Sequence, residues 1–427
     1  MNSGIMLDVY YTLRGAIDSL TGGVERSAKR LADRIDWTTW RAGRPTILCL
    51  DRALFKKDLA EMRRWTDLNL VTVRATRVKK FQNAWVKPQW RRQTFLAYDL
   101  TQDARKLAPL LERFGCAFLA AAADHHKIDG VMAANTDYWQ DEALKLACRK
   151  MGIPFLVLSR ESYGIGRGRE YVTDVYRRAK FDFIGAGCAV ASQRCEDFLS
   201  ACGSLDKAQV RATGWPRYDA WLEQPLKPAA ERKSLTLMSY ADPQAVQYAA
   251  QNFADVFREF VGLARAYRTQ HPNGDLQFVV KLKKKRDEVW LGEIDPNYAS
   301  SGLVVSADLP LPQLLADSRI VIGYNTLAVL EALLAETAVV VPCWADSKRD
   351  QHRSLMHFEN PLDQQVCYFP QSPTELHQLL EQAINGTLAP KGSREKQLER
   401  FSLHSKVDPA KKASHEVEHF IRSLLPQ

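Results

Sequence analysis

Short apolar runs alternate with stretches of helical period along most of the chain, and the alternation breaks once near the middle. In the first half, apolar runs of strand length fall at 46–50, 68–73, 116–123, 128–134, 154–158, 181–191 and 210–213. Spacing of apolar residues three and four apart predicts helices over 13–35, 52–65, 104–114, 139–151 and 193–201. The segment 223–233 holds two prolines, alanines and alternating charges in neither period, and reads as a linker. The second half repeats the pattern, with strands expected at 235–238, 276–282, 303–306, 319–323, 338–342 and 365–369. Helices are expected there over 245–270, 311–316, 326–335 and 373–384. From 392 onward the apolar period is sparse and heavily charged, which predicts one or two helices packed back across the molecule.

Strand-helix alternation with short connections predicts a parallel, doubly wound sheet in each half. The expected organisation is an N-terminal α/β domain (1–222), a linker (223–233), a C-terminal α/β domain (234–390) and a helical tail (391–427). A chain of 427 residues is long enough for two such cores.

Composition narrows the class. Hydrophobic residues make up 46% and charged residues 26%, the balance of a folded protein rather than a disordered one. No apolar run is long enough to span a bilayer, and the first fifteen residues lack a charged start before an apolar core. A cytoplasmic protein is expected. Eight cysteines lie scattered without a Cys-x-x-Cys pair, which predicts reduced, mostly buried thiols. His415 and His419 stand four apart, but no third ligand is near them in sequence, so no metal site and no cofactor is expected. The formal charge of +9 points to an anionic partner: nucleotide phosphate, acidic glycan or the anionic face of a membrane.

In an open parallel sheet, ligands bind at the carboxyl ends of the strands. Polar clusters that follow predicted strands are therefore the candidates. Gly323-Tyr324-Asn325-Thr326 ends one strand and leads into a helix carrying Glu331. Asn325 or Thr326 can cap that helix, its free N–H groups can take a phosphate, and Glu331 can reach a ribose hydroxyl. Asp242 follows the first strand of the second half, as nucleophile, base or helix cap. Glu161 follows a strand of the first half, and the two carboxylates are expected to face each other across a cleft for acid/base work. Arg160, Arg167 and Arg169 lie beside Glu161 in a Gly-rich, basic stretch suited to an acidic acceptor. Lys281 and Lys283 are candidates for phosphate, whereas 284–286 reads as a solvated face. Finally, 77–95 interleaves Lys79, Lys80, Lys87, Arg91 and Arg92 with Phe81, Trp85, Trp90 and Phe95. Such a mixture suits nucleic acid or anionic lipid, or a loop whose tryptophans pack on the sheet.

The segment Thr213-Gly214-Trp215-Pro216-Arg217-Tyr218-Asp219 resembles a Gly-x-Pro-Arg-x-Asp segment of bacterial surface-polymer transferases. Those include CDP-glycerol glycerophosphotransferases and the retaining β-Kdo transferases of capsule and lipopolysaccharide. Gly323-Tyr324-Asn325-Thr326 with Glu331-Ala332 is similar to their phosphate-binding turn and following helix. The resemblance implies the GT-B fold, two Rossmann-like domains with a central cleft. It also implies catalytic acidic residues at the place of Asp242 and, in the first domain, at Glu161. No metal is expected, since lysines and helix N-termini can carry the leaving phosphate's charge and no Asp-x-Asp pair is present. Where such enzymes carry Lys-Pro-His-Pro, this chain reads Lys281-Leu282-Lys283-Lys284.

The expected function is transfer of a sugar, Kdo before others, from a cytidine-nucleotide donor to a surface polysaccharide or lipopolysaccharide acceptor. Its partners would be a nucleotide-sugar donor and a glycan or glycolipid acceptor, with peripheral contact at the inner membrane and no nucleic acid. Two alternatives stand beside it: a CDP-polyol phosphotransferase, and a non-catalytic polyanion- or membrane-binding protein.

Overall fold

A computed structural model describes residues 3–426 apart from 54, 89–105, 137, 162–172, 175, 177–182, 204, 224, 240–248 and 350–354. The chain divides into two compact units, Met1–Ala220 with Leu403–Gln427, and Trp221–Ser402.

The first unit is built on six parallel strands in the order β2-β1-β3-β4-β5-β6. They are β1 (Thr46–Asp51), β2 (Asn69–Arg74), β3 (Gly130–Ala133), β4 (Phe155–Leu158), β5 (Gly187–Val190) and β6 (Val210–Ala212). β3, β4 and β5 are buried along their whole length, as expected of parallel strands covered on both faces. The second unit holds β7 (Ser234–Met238), β8 (Gln277–Lys281), β9 (Val304–Ser306), β10 (Ser318–Ile322) and β11 (Ala338–Val340). Their order is β11-β10-β7-β8-β9, again all parallel. Strand order reverses between β1 and β3 in the first sheet and between β7 and β10 in the second. Those reversals are where an open α/β sheet leaves a crevice for ligand.

Most predicted elements lie within a few residues of the observed ones, and three differ for identifiable reasons. The stretch 116–123 is not a strand but the second half of the helix Ala108–Ala123. Gly115, which reads in sequence as a helix stop, is the point where this helix meets Glu142–Met151. A Cβ there would lie 2.1 Å from the Ala143 carbonyl and 2.7 Å from the Ala147 Cβ. The predicted helix over 13–35 is two helices, Ser3–Leu20 and Gly23–Ala32. Gly22 separates them with φ of 66°, a left-handed conformation that glycine accepts without cost from a side chain. Of the strand expected at 365–369, the first two residues end the helix Pro361–Val366, which the Asn360 side chain caps. Only Tyr368 joins the sheet, through a single parallel bridge to Val340.

The charged tail forms two helices. Arg394–Ser402 belongs to the second unit, where the Arg394 guanidinium donates to the Leu333 and Leu334 carbonyls at 3.0 and 2.9 Å. Ala413–Leu424 belongs to the first. Arg232, in the expected linker, is buried and donates to the carbonyls of Lys227, Ser318 and Ala335. No helix among the described residues is long and apolar enough to cross a membrane.

Candidate functional site

In the second unit, β7 lies between β8 and β10, with Met238 in register with Lys281. Their carboxyl ends bring Met238-Ser239, Lys281 and Gly323–Thr326 to one edge. Thr326 caps the helix Leu327–Leu334, its hydroxyl accepting from the Ala328 N–H at 3.4 Å. Asn325 is exposed and Thr326 half-buried at the head of that helix, so its amino end faces outward. Glu331 is half-buried in the same helix.

Two residues of this turn have structural roles that sequence alone did not separate from binding. A Cβ on Gly323 would fall 2.7 Å from the Val329 Cγ2 and 3.3 Å from the Met238 Cβ. Glycine is therefore needed so that strand and helix can pack, apart from any ligand. Tyr324, expected at the donor, turns into the core and is 1% exposed. Its hydroxyl donates to the Asn252 Oδ1 at 2.5 Å, while the Asn252 side-chain amide donates to the Trp344 carbonyl at 3.0 Å. The Asp346 carboxylate accepts from the Gln251 and Asn252 N–H groups at 3.0 Å each, which occupies the amino end of the long helix Ala250–Gln270. These contacts fix the turn from behind. Asp346, Asn252 and Tyr324 form a joint that is scattered over 94 positions of sequence and carries no local motif.

Lys281 is half-buried. Its ammonium donates to the Ala307 carbonyl and lies 3.4 Å from the Leu282 carbonyl. Burial lowers its pKa from the ordinary lysine value, and Asp308 partly offsets this. Lys283 is exposed. Asp242 lies outside the described residues, as do Arg167 and Arg169.

In the first unit, the loop after β4 carries Glu161 on the surface, held by the loop after β3. The Asn135 amide donates to the Glu161 Oε1 at 3.0 Å, and the Tyr138 hydroxyl lies 3.4 Å from the same oxygen. The Arg160 N–H donates to the Ala134 carbonyl at 3.0 Å, fastening the two strand exits together. The Glu161 N–H in turn donates to the Ser159 hydroxyl at 3.3 Å.

Arg160, expected at an acceptor, points inward instead. Its side chain is 8% exposed and its Nη1 lies 2.8 Å from the Asp58 Oδ2. Arg217 approaches the other oxygen of Asp58, with Nε at 3.3 Å and its backbone N–H at 3.1 Å. Both guanidinium groups sit over the Trp215 ring, at 5.1 and 4.4 Å from its centroid. Two cations therefore share one fully buried carboxylate. Burial pushes the Asp58 carboxyl up to about 6, although Arg217 pulls it down. Asp58 was not singled out from sequence, because an acidic residue in the first turn of a helix is ordinary.

The segment that carried the family resemblance is this cluster's frame. Gly214 takes φ of 82°, and a Cβ there would meet the Lys406 carbonyl at 2.2 Å. The Trp215 indole donates to the Ser159 carbonyl at 2.6 Å. The Asp219 carboxylate accepts from the Ala413 and Ser414 N–H groups at 2.8 and 2.9 Å, capping the helix Ala413–Leu424. Trp85, read from sequence as either facing a polyanion or packing on the sheet, is 1% exposed and donates its indole N–H to Asp18 at 2.9 Å. Trp90, Arg91, Arg92 and Phe95 lie outside the described residues. Among the described residues, no three His, Cys, Asp or Glu side chains are grouped to hold a metal ion.

No protein-family model matches the chain, and no curated protein matches it by sequence. Solved structures do match by fold. The chain is similar to the wall teichoic acid polymerase TagF (H548A form), with a TM-score of 0.52 at 9% identity, covering 97% of each chain. It is also similar to a Listeria monocytogenes structure assigned as a UDP-N-acetylglucosamine 2-epimerase. There the TM-score is 0.50 at 14% identity, covering 89% of this chain and 96% of that one. The chain, with its two parallel sheets, has the α/β fold of these solved structures, GT-B.

Proposed function

We propose that the protein is a GT-B glycosyltransferase that moves a sugar, Kdo before others, from a cytidine-nucleotide donor to a surface polysaccharide or lipopolysaccharide acceptor. The observation that carries the reading is the outward-facing, Thr326-capped head of the helix Leu327–Leu334 at the β7/β10 reversal. Helix N–H groups there suit a phosphate, and Asn325 and Thr326 are at hand to hold it. Lys281 lies on the neighbouring strand and would add positive charge on leaving the Ala307 carbonyl. Lys283 would meet outer oxygens of the donor, and Glu331 a ribose hydroxyl. Tyr324 and Gly323 would act by shaping the turn.

Asp242 would attack or assist at the anomeric carbon, and Glu161 would handle the acceptor proton. Arg167 and Arg169 would meet an acidic acceptor, with Arg160 fixing the strand exit that bears Glu161. Lysine and helix N–H groups can carry the charge on the leaving phosphate, so the reading requires no metal.

A second reading is transfer of a polyol phosphate from a CDP donor, which the fold likeness to a wall teichoic acid polymerase favours. Calorimetric titration with CMP, CDP and UDP tests the nucleotide site. Binding of a cytidine nucleotide that weakens on the order of tenfold in Asn325→Ala with Thr326→Ala is expected. Equal, weak binding of all three by wild type and variant would refute it.

A further inference from the structure

The helix Ser3–Leu20 leaves a row of large apolar side chains in solvent. Met6 is 64% exposed, Val9 51%, Tyr10 52%, Leu13 57%, Ile17 56% and Leu20 87%. At helical pitch these six fall within an arc of about 100° and run for roughly 21 Å. Single exposed apolar residues need no explanation, but a continuous stripe of this kind marks an interaction surface.

The surroundings of the stripe say what covers it. The helix packs against Gly23–Ala32, whose Arg26, Lys29 and Arg30 are all exposed. Asp18 accepts from the Trp85 indole at 2.9 Å, which ties the helix to the segment following Ala75–Gln82. That second helix also packs on Gly23–Ala32 and brings Arg77, Lys79 and Lys80. Together, residues 3–32 and 74–87 hold nine Lys and Arg against three Asp and Glu, a large part of the chain's charge of +9. An identical copy would set this cationic surround against itself, at an electrostatic penalty. An anionic lipid surface would satisfy the apolar row and the cations at once.

We propose that Ser3–Leu20 is an in-plane anchor that docks the first unit on an anionic bilayer. The apolar row enters the headgroup–acyl boundary, and Arg26, Lys29, Arg30 and Lys80 meet lipid phosphates. The helix does not cross the bilayer, in keeping with the lack of any crossing helix among the described residues. The anchor needs neither donor nor acceptor, so its test is separable from the glycosyltransferase reading.

Vesicle flotation of the full chain provides that test, using phosphatidylcholine alone and phosphatidylcholine with phosphatidylglycerol. Binding to the anionic vesicles that falls with added salt is expected. Leu13→Glu with Ile17→Glu changes two exposed positions and should weaken partition about a hundredfold. Lys29→Glu with Arg30→Glu should abolish the preference for anionic lipid while leaving the row intact. Binding unaffected by Leu13→Glu with Ile17→Glu, equal binding to both vesicles, or no binding to either overturns the proposal. So does a dimer in light scattering without lipid that Leu13→Glu with Ile17→Glu dissociates.

Discussion

The indole N–H of Trp215 donates to the backbone carbonyl of Ser159 at 2.6 Å, across 56 positions of sequence. That bond ties the Gly-x-Pro-Arg-x-Asp segment to the exit of β4, two residues before Glu161. Arg217 and Arg160 reinforce the tie by sharing Asp58 and sitting over the same Trp215 ring. The segment thus holds a candidate acid in place and is not itself shown at a ligand.

Trp215→Phe keeps an aromatic ring but removes the indole donor and part of the buried ring. It leaves the Ser159 carbonyl unsatisfied in a buried setting and should cost about 1–3 kcal/mol of stability. Denaturant unfolding monitored on the purified protein measures this. A loss within experimental error would mean the bond contributes nothing to the joint.

Asp58 yields a pH test with a defined sign. Its carboxyl is raised from the ordinary 3.8 to about 6, so the folded state binds more protons than the unfolded state between those values. Its contribution is therefore fully present below the unfolded pKa and is lost as pH rises through about 6. Asp58→Asn removes the titrating proton while keeping the size of the side chain, so it serves as the reference without this pH dependence. The wild type's advantage over Asp58→Asn should narrow as pH rises across that window and level off above it. An advantage that widens with pH would show that the fold favours the carboxylate.

Gly323 tests whether packing alone demands glycine. Gly323→Ala drives a methyl against Val329 and should destabilise by about 1–3 kcal/mol. Adding Val329→Ala should recover part of that loss, a coupling that a double-mutant cycle reads directly. Strict additivity of the two changes would exclude the contact as the cause.

Tyr324→Phe separates shaping from binding in the same turn. Losing the hydroxyl strands the Asn252 Oδ1 and should cost about 1–3 kcal/mol of stability. Nucleotide affinity should change less than in Thr326→Ala, whose side chain heads the helix. A larger affinity loss in Tyr324→Phe would return that residue to the ligand.

Much of the architecture was legible because buried parallel strands leave uninterrupted apolar runs, as in β4 and β11. The helix heads were legible too, since Thr326 announces its cap one residue before the apolar stretch. What misled was glycine: Gly115 reads as a stop and is a helix–helix contact, a distinction that requires knowing the partner Ala143. The direction of side chains was also illegible. Arg160 beside Glu161 looks like an arm for an acidic acceptor, yet Asp58, more than a hundred positions earlier, turns it inward. Tyr324 is a similar case, drawn into the core by Asn252. Long-range pairings of single polar residues leave no periodicity and no motif.

The most direct measurement of the central claim is sugar transfer and donor hydrolysis across CMP-Kdo, CDP-polyol and UDP-sugar donors. Asp242→Asn and Glu161→Gln are assayed alongside the wild type. The account expects turnover of the cytidine donor, reduced on the order of a hundredfold or more in each variant. A phosphorus-containing product from a CDP donor would select the polyol-phosphate reading instead. Absence of binding and turnover with every nucleotide donor, or full activity in Asp242→Asn, would contradict it.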